Sequence, residues 1–72
     1  MILCIEASQH NTSEAGRGNI ADYELSADPL EACEHVRRFH RCGYWVEVYN
    51  DDSKELLAGP FDPDRPVPKY IL

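Results

Sequence analysis

The chain has 72 residues, of which 43% are hydrophobic and 28% charged, and 13 acidic against seven basic residues give a formal net charge of −6. This length predicts a single domain, residues 1–72, and the composition is that of an ordinary folded protein rather than a disordered one. The excess of acid disfavours direct binding to nucleic acid or to anionic membranes, because such surfaces need cationic groups beside phosphates.

The N-terminal segment MILCIEAS lacks the basic start of a secretory signal. The cysteines are odd in number, Cys4, Cys33 and Cys42, and this favours a reducing compartment in which the thiols are unoxidised. No apolar run approaches the roughly 18 residues that a membrane-spanning helix needs. These features together predict a cytoplasmic protein.

Two segments before the helix show the alternation of a strand. Residues 2–8, ILCIEAS, and residues 20–26, IADYELS, each place apolar side chains at every second position on one face. Residues 9–19 between them, rich in Gly, Ser, Thr and Asn, predict a long loop. In the first strand one face carries Leu3, Ile5 and Ala7, and the other carries Ile2, Cys4 and Glu6. In the second strand one face carries Ala21, Tyr23 and Leu25, and the other carries Ile20, Asp22 and Glu24.

A helix is predicted to begin at Pro29 and to end before Gly43. Asp28 is suited to accept from free backbone N–H groups at the N-terminus, and Glu31 completes the spacing of a capping box. Gly43 is suited to the left-handed conformation that ends helices. An i, i+4 ion pair is expected between Glu34 and Arg38. The predicted core stripe consists of Ala32, Cys33, Val36, Phe39 and His40.

Residues 43–50, GYWVEVYN, predict a third strand, and residues 54–59, KELLAG, a fourth that follows a turn at NDDS. Residues 59–72 contain four prolines, whose missing N–H donors disfavour a paired interior strand. We expect this segment to be an extended tail that docks across the domain. The order β-β-α-β-β therefore predicts an α+β fold, in which one helix lies on one face of an antiparallel four-stranded sheet.

No catalytic residue, metal ligand set or cofactor is predicted. The spacing of Cys33, His40 and Cys42 matches no common zinc motif. A thiol nucleophile needs an adjacent base, but Cys42 and His40 are two residues apart and do not face each other on a helix. We therefore expect a protein that is not an enzyme.

The third strand raises the question of what covers the second face of the sheet. If Val46 and Val48 pack under the helix, then Trp45, Glu47 and Tyr49 stand on the opposite face. Trp and Tyr often dominate binding energy at protein interfaces. Two expectations stay open: the proline-rich tail folds over this face, or a partner protein does.

The chain resembles the small accessory proteins encoded by bacteriophages and mobile elements, among them several anti-CRISPR proteins, in its size, acidity and β-β-α-β-β order. This resemblance implies an inhibitor in the host cytoplasm that binds a host protein complex stoichiometrically, at a basic surface that would otherwise hold nucleic acid. The alternative is a structural or regulatory homodimer joined through the open sheet face. The candidate contacts are Trp45, Glu47 and Tyr49 together with the acidic residues Asp22, Glu24, Asp51, Asp52 and Glu55.

Overall fold

The structure is a computed structural model that describes residues 1–11 and 20–72. The loop predicted over residues 9–19 therefore lies largely outside the described residues. The elements are β1 (Leu3–Ser8), β2 (Ile20–Ser26), α1 (Pro29–Arg41), β3 (Trp45–Asn50) and β4 (Leu56–Phe61). The predicted fold class and the β-β-α-β-β order are confirmed.

The four strands form one antiparallel sheet in the order β2-β1-β3-β4. β1 is central and pairs with strands on both sides: Leu3 lies opposite Ser26 of β2 and opposite Asn50 of β3. β2 and β4 are the two edge strands. The sheet therefore joins the beginning of the chain to its second half through β1 and β3.

Both ends of α1 follow the sequence signals. An Oδ1 atom of Asp28 accepts from the backbone N–H of Leu30 at 3.0 Å, and Pro29 takes the first helical position, where no N–H is needed. At the other end Gly43 has φ +90°, in the left-handed region that helix ends favour.

Two predicted side-chain contacts of the helix are replaced by others. The backbone N–H of Asp28 donates to Oγ of Ser26 at 3.1 Å, so the capping-box bond from Glu31 is not needed. The Glu31 carboxylate instead lies 3.4 Å from Nε2 of His35, one turn later. Arg38 contacts Glu24 of β2 at 3.4 Å and Nδ1 of His35 at 3.2 Å, rather than pairing with Glu34.

The core lies between α1 and the face of the sheet that carries Ile5, Val46 and Val48. The helix contributes Ala32, Val36 and Phe39, all of which are buried. Half-buried Tyr44 extends this core, since its ring packs edge-on against Phe39 with the ring centroids 6.4 Å apart. The predicted inward face of β3 is confirmed, and so is the predicted stripe at Ala32, Val36 and Phe39, whereas Cys33 and His40 are only half-buried.

β4 extends two residues beyond the predicted strand and includes Gly59 and Pro60, so the tail begins after Phe61 rather than at residue 59. Proline is tolerated here because β4 is an edge strand whose pairing with β3 is interrupted by register shifts. Gly59 has φ +93°, and a Cβ atom there would lie 2.5 Å from the carbonyl oxygen of Val46. Only glycine fits this close approach.

The proline-rich tail packs on the same side of the sheet as the helix. Nε2 of His40 donates to the carbonyl oxygens of Asp62, at 3.1 Å, and of Arg65, at 2.6 Å. Val67 is half-buried against the core, and Ile71 is a core residue with 9% of its surface exposed. The expectation that the tail folds over the second sheet face is therefore wrong for Val67 and Ile71. In the described part of the chain, α1 alone is too narrow to cover the sheet, and these two side chains add to the cover on the helix side.

Candidate functional site on the outer face of the sheet

The sheet face turned away from α1, called the outer face below, is set by the alternation of β1 and β3. Because Ile5 and Val48 point into the core, their neighbours in sequence point to the other side. The strand register then places Tyr23 and Leu25 opposite outward residues of β1, and Leu56 opposite Tyr49. The outer face consists of Cys4, Glu6, Ser8, Tyr23, Leu25, Trp45, Glu47, Tyr49 and Leu56.

Two carboxyl groups lie side by side at the centre of this face. Glu6 of β1 is directly opposite Glu47 of β3 in the strand register, a position in which Cβ atoms are about 4.5–5.5 Å apart. Both residues are buried, with 6% and 5% of their surfaces exposed. Carboxyl groups are seldom buried to this extent unless they are paired, and like charges opposite each other destabilise a sheet.

The hydrogen bonds of Glu47 leave one of its oxygens unsatisfied. The hydroxyl of Tyr49, two residues along the same face, donates to Oε2 of Glu47 at 2.9 Å. Oε1 is also buried but has no hydrogen-bond partner among residues 1–11 and 20–72. A buried acceptor without a donor costs about 1–3 kcal/mol, so this oxygen weakens the isolated domain.

Exposed apolar side chains lie beside this acidic centre. Tyr23 and Leu25 of β2 are 58% and 48% exposed, although they project from a sheet face. With Glu6 and Tyr49 they line an open pocket of about 360 Å³, which Ile20 also borders. The predicted alternation set Ile20 on the other face, but a register shift at Ala7 and Ser8 brings Ile20 opposite Ser8.

The charges around this pocket favour a cation. Asp51 and Lys54 both line it, and their 3.3 Å contact pairs one acid with one base. Glu6 lies on the pocket wall and Glu47 beside it, so the described residues around the pocket include more acidic than basic groups. An arginine or lysine side chain would fit, because its aliphatic stem can pack on Leu25, its cationic head can approach the Tyr23 ring, and its N–H groups donate to carboxyl oxygens.

Trp45, Glu47 and Tyr49 of β3 all lie on the outer face, as predicted, but they are less exposed than predicted. Glu47 and Tyr49 are buried, and Trp45 is half-buried. The expectation that Trp45 and Tyr49 form an exposed aromatic patch is therefore wrong for Tyr49, whose hydroxyl is engaged with Glu47 inside the fold. The exposed apolar side chains of this face belong to the two edge strands instead.

The predicted acidic contacts do not form one surface. Asp22 and Glu24 lie at the β2 edge on the helix side, and the Glu24 carboxylate contacts Arg38. Asp51, Asp52 and Glu55 belong to the β3–β4 turn, and of these only Asp51 lines the pocket. The sequence analysis did not predict Glu6 and Tyr23 as site residues, although the alternation places each of them on the opposite face from its neighbours in sequence.

The residues considered for metal binding are dispersed. Cys42 is exposed, Cys33 is half-buried, and His40 is bonded to tail carbonyls. In the described parts of the chain, no group of three or more His, Cys, Asp or Glu residues is arranged to hold a metal ion. Those same parts contain no helix with the length and apolar character to cross a membrane.

Comparison with known proteins gives no relative from which a role can be carried over: no protein-family model, curated protein or solved structure matches this chain. The functional argument therefore depends on the geometry and chemistry of the outer face.

Proposed function

We propose that this chain is a protein-binding module, which acts by stoichiometric association rather than by catalysis, and that its partner presents basic side chains to the outer face. The observation that carries the proposal is the buried Glu6–Glu47 pair, in which one Glu47 oxygen is unsatisfied. It lies beside the exposed side chains of Tyr23 and Leu25, called the rim below. In the proposed complex the Glu47 side chain turns toward the pocket, where a cationic donor of the partner satisfies that oxygen, and the rim supplies apolar contact area.

The net charge of −6 supports the same choice of partner. An acidic protein is steered toward a basic surface, and this raises the association rate in a salt-dependent way. The exposed turn residues Asp52 and Glu55 lie at one end of the sheet and add to this field. The specific form of the proposal is a phage-type inhibitor that occupies the nucleic-acid-binding surface of a host complex in the cytoplasm.

The alternative, a homodimer joined through the outer faces, is disfavoured by the same carboxyl groups. A symmetric face-to-face dimer would bring Glu6 and Glu47 of both copies to one interface. Four carboxyl groups would then lie close together at the interface, and acidic groups set opposite each other are destabilising. Light scattering at micromolar concentration separates the two cases: the proposal expects a monomer, and a dimer lost on replacing Tyr23 and Leu25 by Ser would contradict it.

The proposal is tested by affinity purification from the native host with three tagged baits: the wild-type chain, Glu47→Gln and Glu34→Gln. Glu34 is an exposed helix residue, so its variant removes the same charge from the other side of the domain. We expect a basic protein to be retained by the wild type and by Glu34→Gln, and to bind Glu47→Gln at least about tenfold more weakly, a loss of about 1.4 kcal/mol. Equal retention by all three baits would contradict the proposal.

A further inference from the structure

The two edges of the sheet differ in how they are protected. β4 carries Pro60, has a register shift on either side of Val48, and follows a turn with Lys54 at φ +62°. Proline and irregular pairing are among the devices by which proteins keep an edge strand from pairing further. β2, at the other edge, runs from Ile20 to Ser26 without proline or lysine, and five of its first six residues are exposed.

Among the described residues β2 pairs only with β1, so alternate backbone groups of β2 face away from that pairing. The N–H of Tyr23 donates to Oδ1 of its neighbour Asp22 at 2.8 Å, so it points away from β1. Backbone groups of alternate residues in an antiparallel strand point to the same side. The N–H and C=O of Leu25 therefore also face outward, where an added strand would bond them.

Side chains along this edge specify the chemistry of an added strand. On the helix side β2 presents the acids Asp22 and Glu24, and on the outer face it presents Tyr23 and Leu25. An incoming strand with basic residues at alternate positions would set one opposite Asp22 and another opposite Glu24, whose carboxylate also contacts Arg38. Its apolar residues between them would extend the exposed rim. Opposite charges and aromatic or β-branched pairs directly across two strands are favourable combinations.

We infer that β2 is a strand-addition site, which receives an extended basic and apolar segment of the partner as a fifth strand of the sheet. This inference rests on the proposed protein-binding function and names the backbone element that the partner engages. The incoming carbonyl group replaces Asp22 Oδ1 on the Tyr23 N–H. The freed Asp22 carboxylate then faces a basic side chain of the added strand.

A second copy of this chain fits the edge poorly. In an antiparallel β2–β2 pairing centred on Tyr23, with both helices on the same side, Asp22 of each copy lies opposite Glu24 of the other. Pairings centred on Asp22 or on Glu24 set each of those acids against itself. Like charges directly opposite are destabilising, so the edge rejects self-association and accepts a basic strand.

The test uses a blocked synthetic peptide of eight residues that alternates Arg and Val, and NMR spectra of the labelled full chain. A control peptide has the same side chains but N-methyl groups on alternate amides, which remove the donors facing β2. We expect the first peptide to slow hydrogen exchange at the Tyr23 and Leu25 amides at least about tenfold, and the methylated peptide to leave exchange unchanged.

Two variants of the chain make the test specific to the backbone. Tyr23→Pro removes the outward N–H, which β1 does not use, whereas Tyr23→Thr removes the same aromatic ring but keeps the donor. We expect Tyr23→Thr to bind the peptide more weakly, because the ring contact is lost, but still to show slowed exchange at the Leu25 amide. Tyr23→Pro should lose this protection altogether, with the helical circular dichroism of both variants unchanged. If Tyr23→Pro unfolds, the N-methylated peptide still decides the question.

Three other outcomes would contradict strand addition, and each can be distinguished from a failure of the proposed function. Equal binding of both peptides, with shifts confined to Glu6 and Glu47, would exclude strand addition but retain the basic-partner proposal. Binding of neither peptide, while Glu47→Gln still weakens capture of the host protein, would place the contact away from β2. A wild-type dimer that Tyr23→Pro dissociates would show that the edge serves a second copy instead.

Discussion

Replacing Glu47 by Gln is expected to stabilise the free protein, although Glu47 belongs to the proposed binding site. Oε1 of Glu47 is buried without a donor among the described residues, and Oε2 accepts from Tyr49. Gln has nearly the same volume and keeps an acceptor for the Tyr49 hydroxyl. Its amide N–H groups can donate across the strand pair to the carboxyl group of Glu6.

The magnitude follows from two contributions. Removing an unsatisfied buried acceptor recovers about 1–3 kcal/mol, and removing one of two carboxyl groups that face each other recovers a further ~0.2–1 kcal/mol. Allowing for incomplete recovery by the new amide, we expect the free energy of unfolding to rise by about 1–2 kcal/mol. For a domain of this size, the melting temperature rises by roughly 4–8 °C for each kcal/mol.

Urea unfolding followed by the fluorescence of Trp45, the single tryptophan, measures this change. Glu55→Gln is the matched control, because Glu55 is exposed and its substitution should change stability by less than about 0.5 kcal/mol. Tyr49→Phe should lower stability, since it removes the donor to Oε2. If the Glu47→Gln protein is less stable than the wild type, then the Glu47 carboxyl group does not destabilise the free domain, and the reasoning is wrong.

Three further predictions concern the elements that support the outer face. Ile71→Ala should lower the free energy of unfolding by about 2 kcal/mol in urea melts, because Ile71 is a core residue of the tail; no change would mean that the tail does not stabilise the domain. Gly59→Ala should cost roughly 1–3 kcal/mol more than Gly43→Ala, since both glycines have φ near +90° but only at Gly59 would a Cβ meet the β3 backbone; equal melting temperatures would contradict this. His40→Ala should cost about 1–2 kcal/mol and speed hydrogen exchange in the tail, because it removes the donor to two tail carbonyls; unchanged tail exchange would show that this contact does not hold it.

The helix and the strands were predictable because their signals are local. Asp28, Pro29 and Gly43 each act within one turn of the chain, and their roles follow from side-chain geometry alone. The inward positions of Val46 and Val48 follow from the period of two in a strand. These signals predicted the class of the fold and the buried faces of α1 and β3.

The site was less predictable because its properties depend on strand order and register. That Glu6 meets Glu47 requires β1 and β3 to be neighbours, and no local pattern specifies this. The side of the sheet on which the tail packs also could not be predicted, because it depends on how much of the sheet α1 leaves uncovered. The sequence predicts that strand pairing ends before Pro60, but β4 includes this proline because β4 is an edge strand with a shifted register.

The central position of β1 also has a consequence for the order of folding. β1 is made first, but its pairing with β3 joins residues such as Leu3 and Asn50 from distant parts of the chain. Non-local pairing of this kind slows folding, because the intervening segment must lose conformational freedom before the contacts form. Until β3 pairs with it, one edge of β1 is open, and a transiently unpaired edge of this kind favours aggregation.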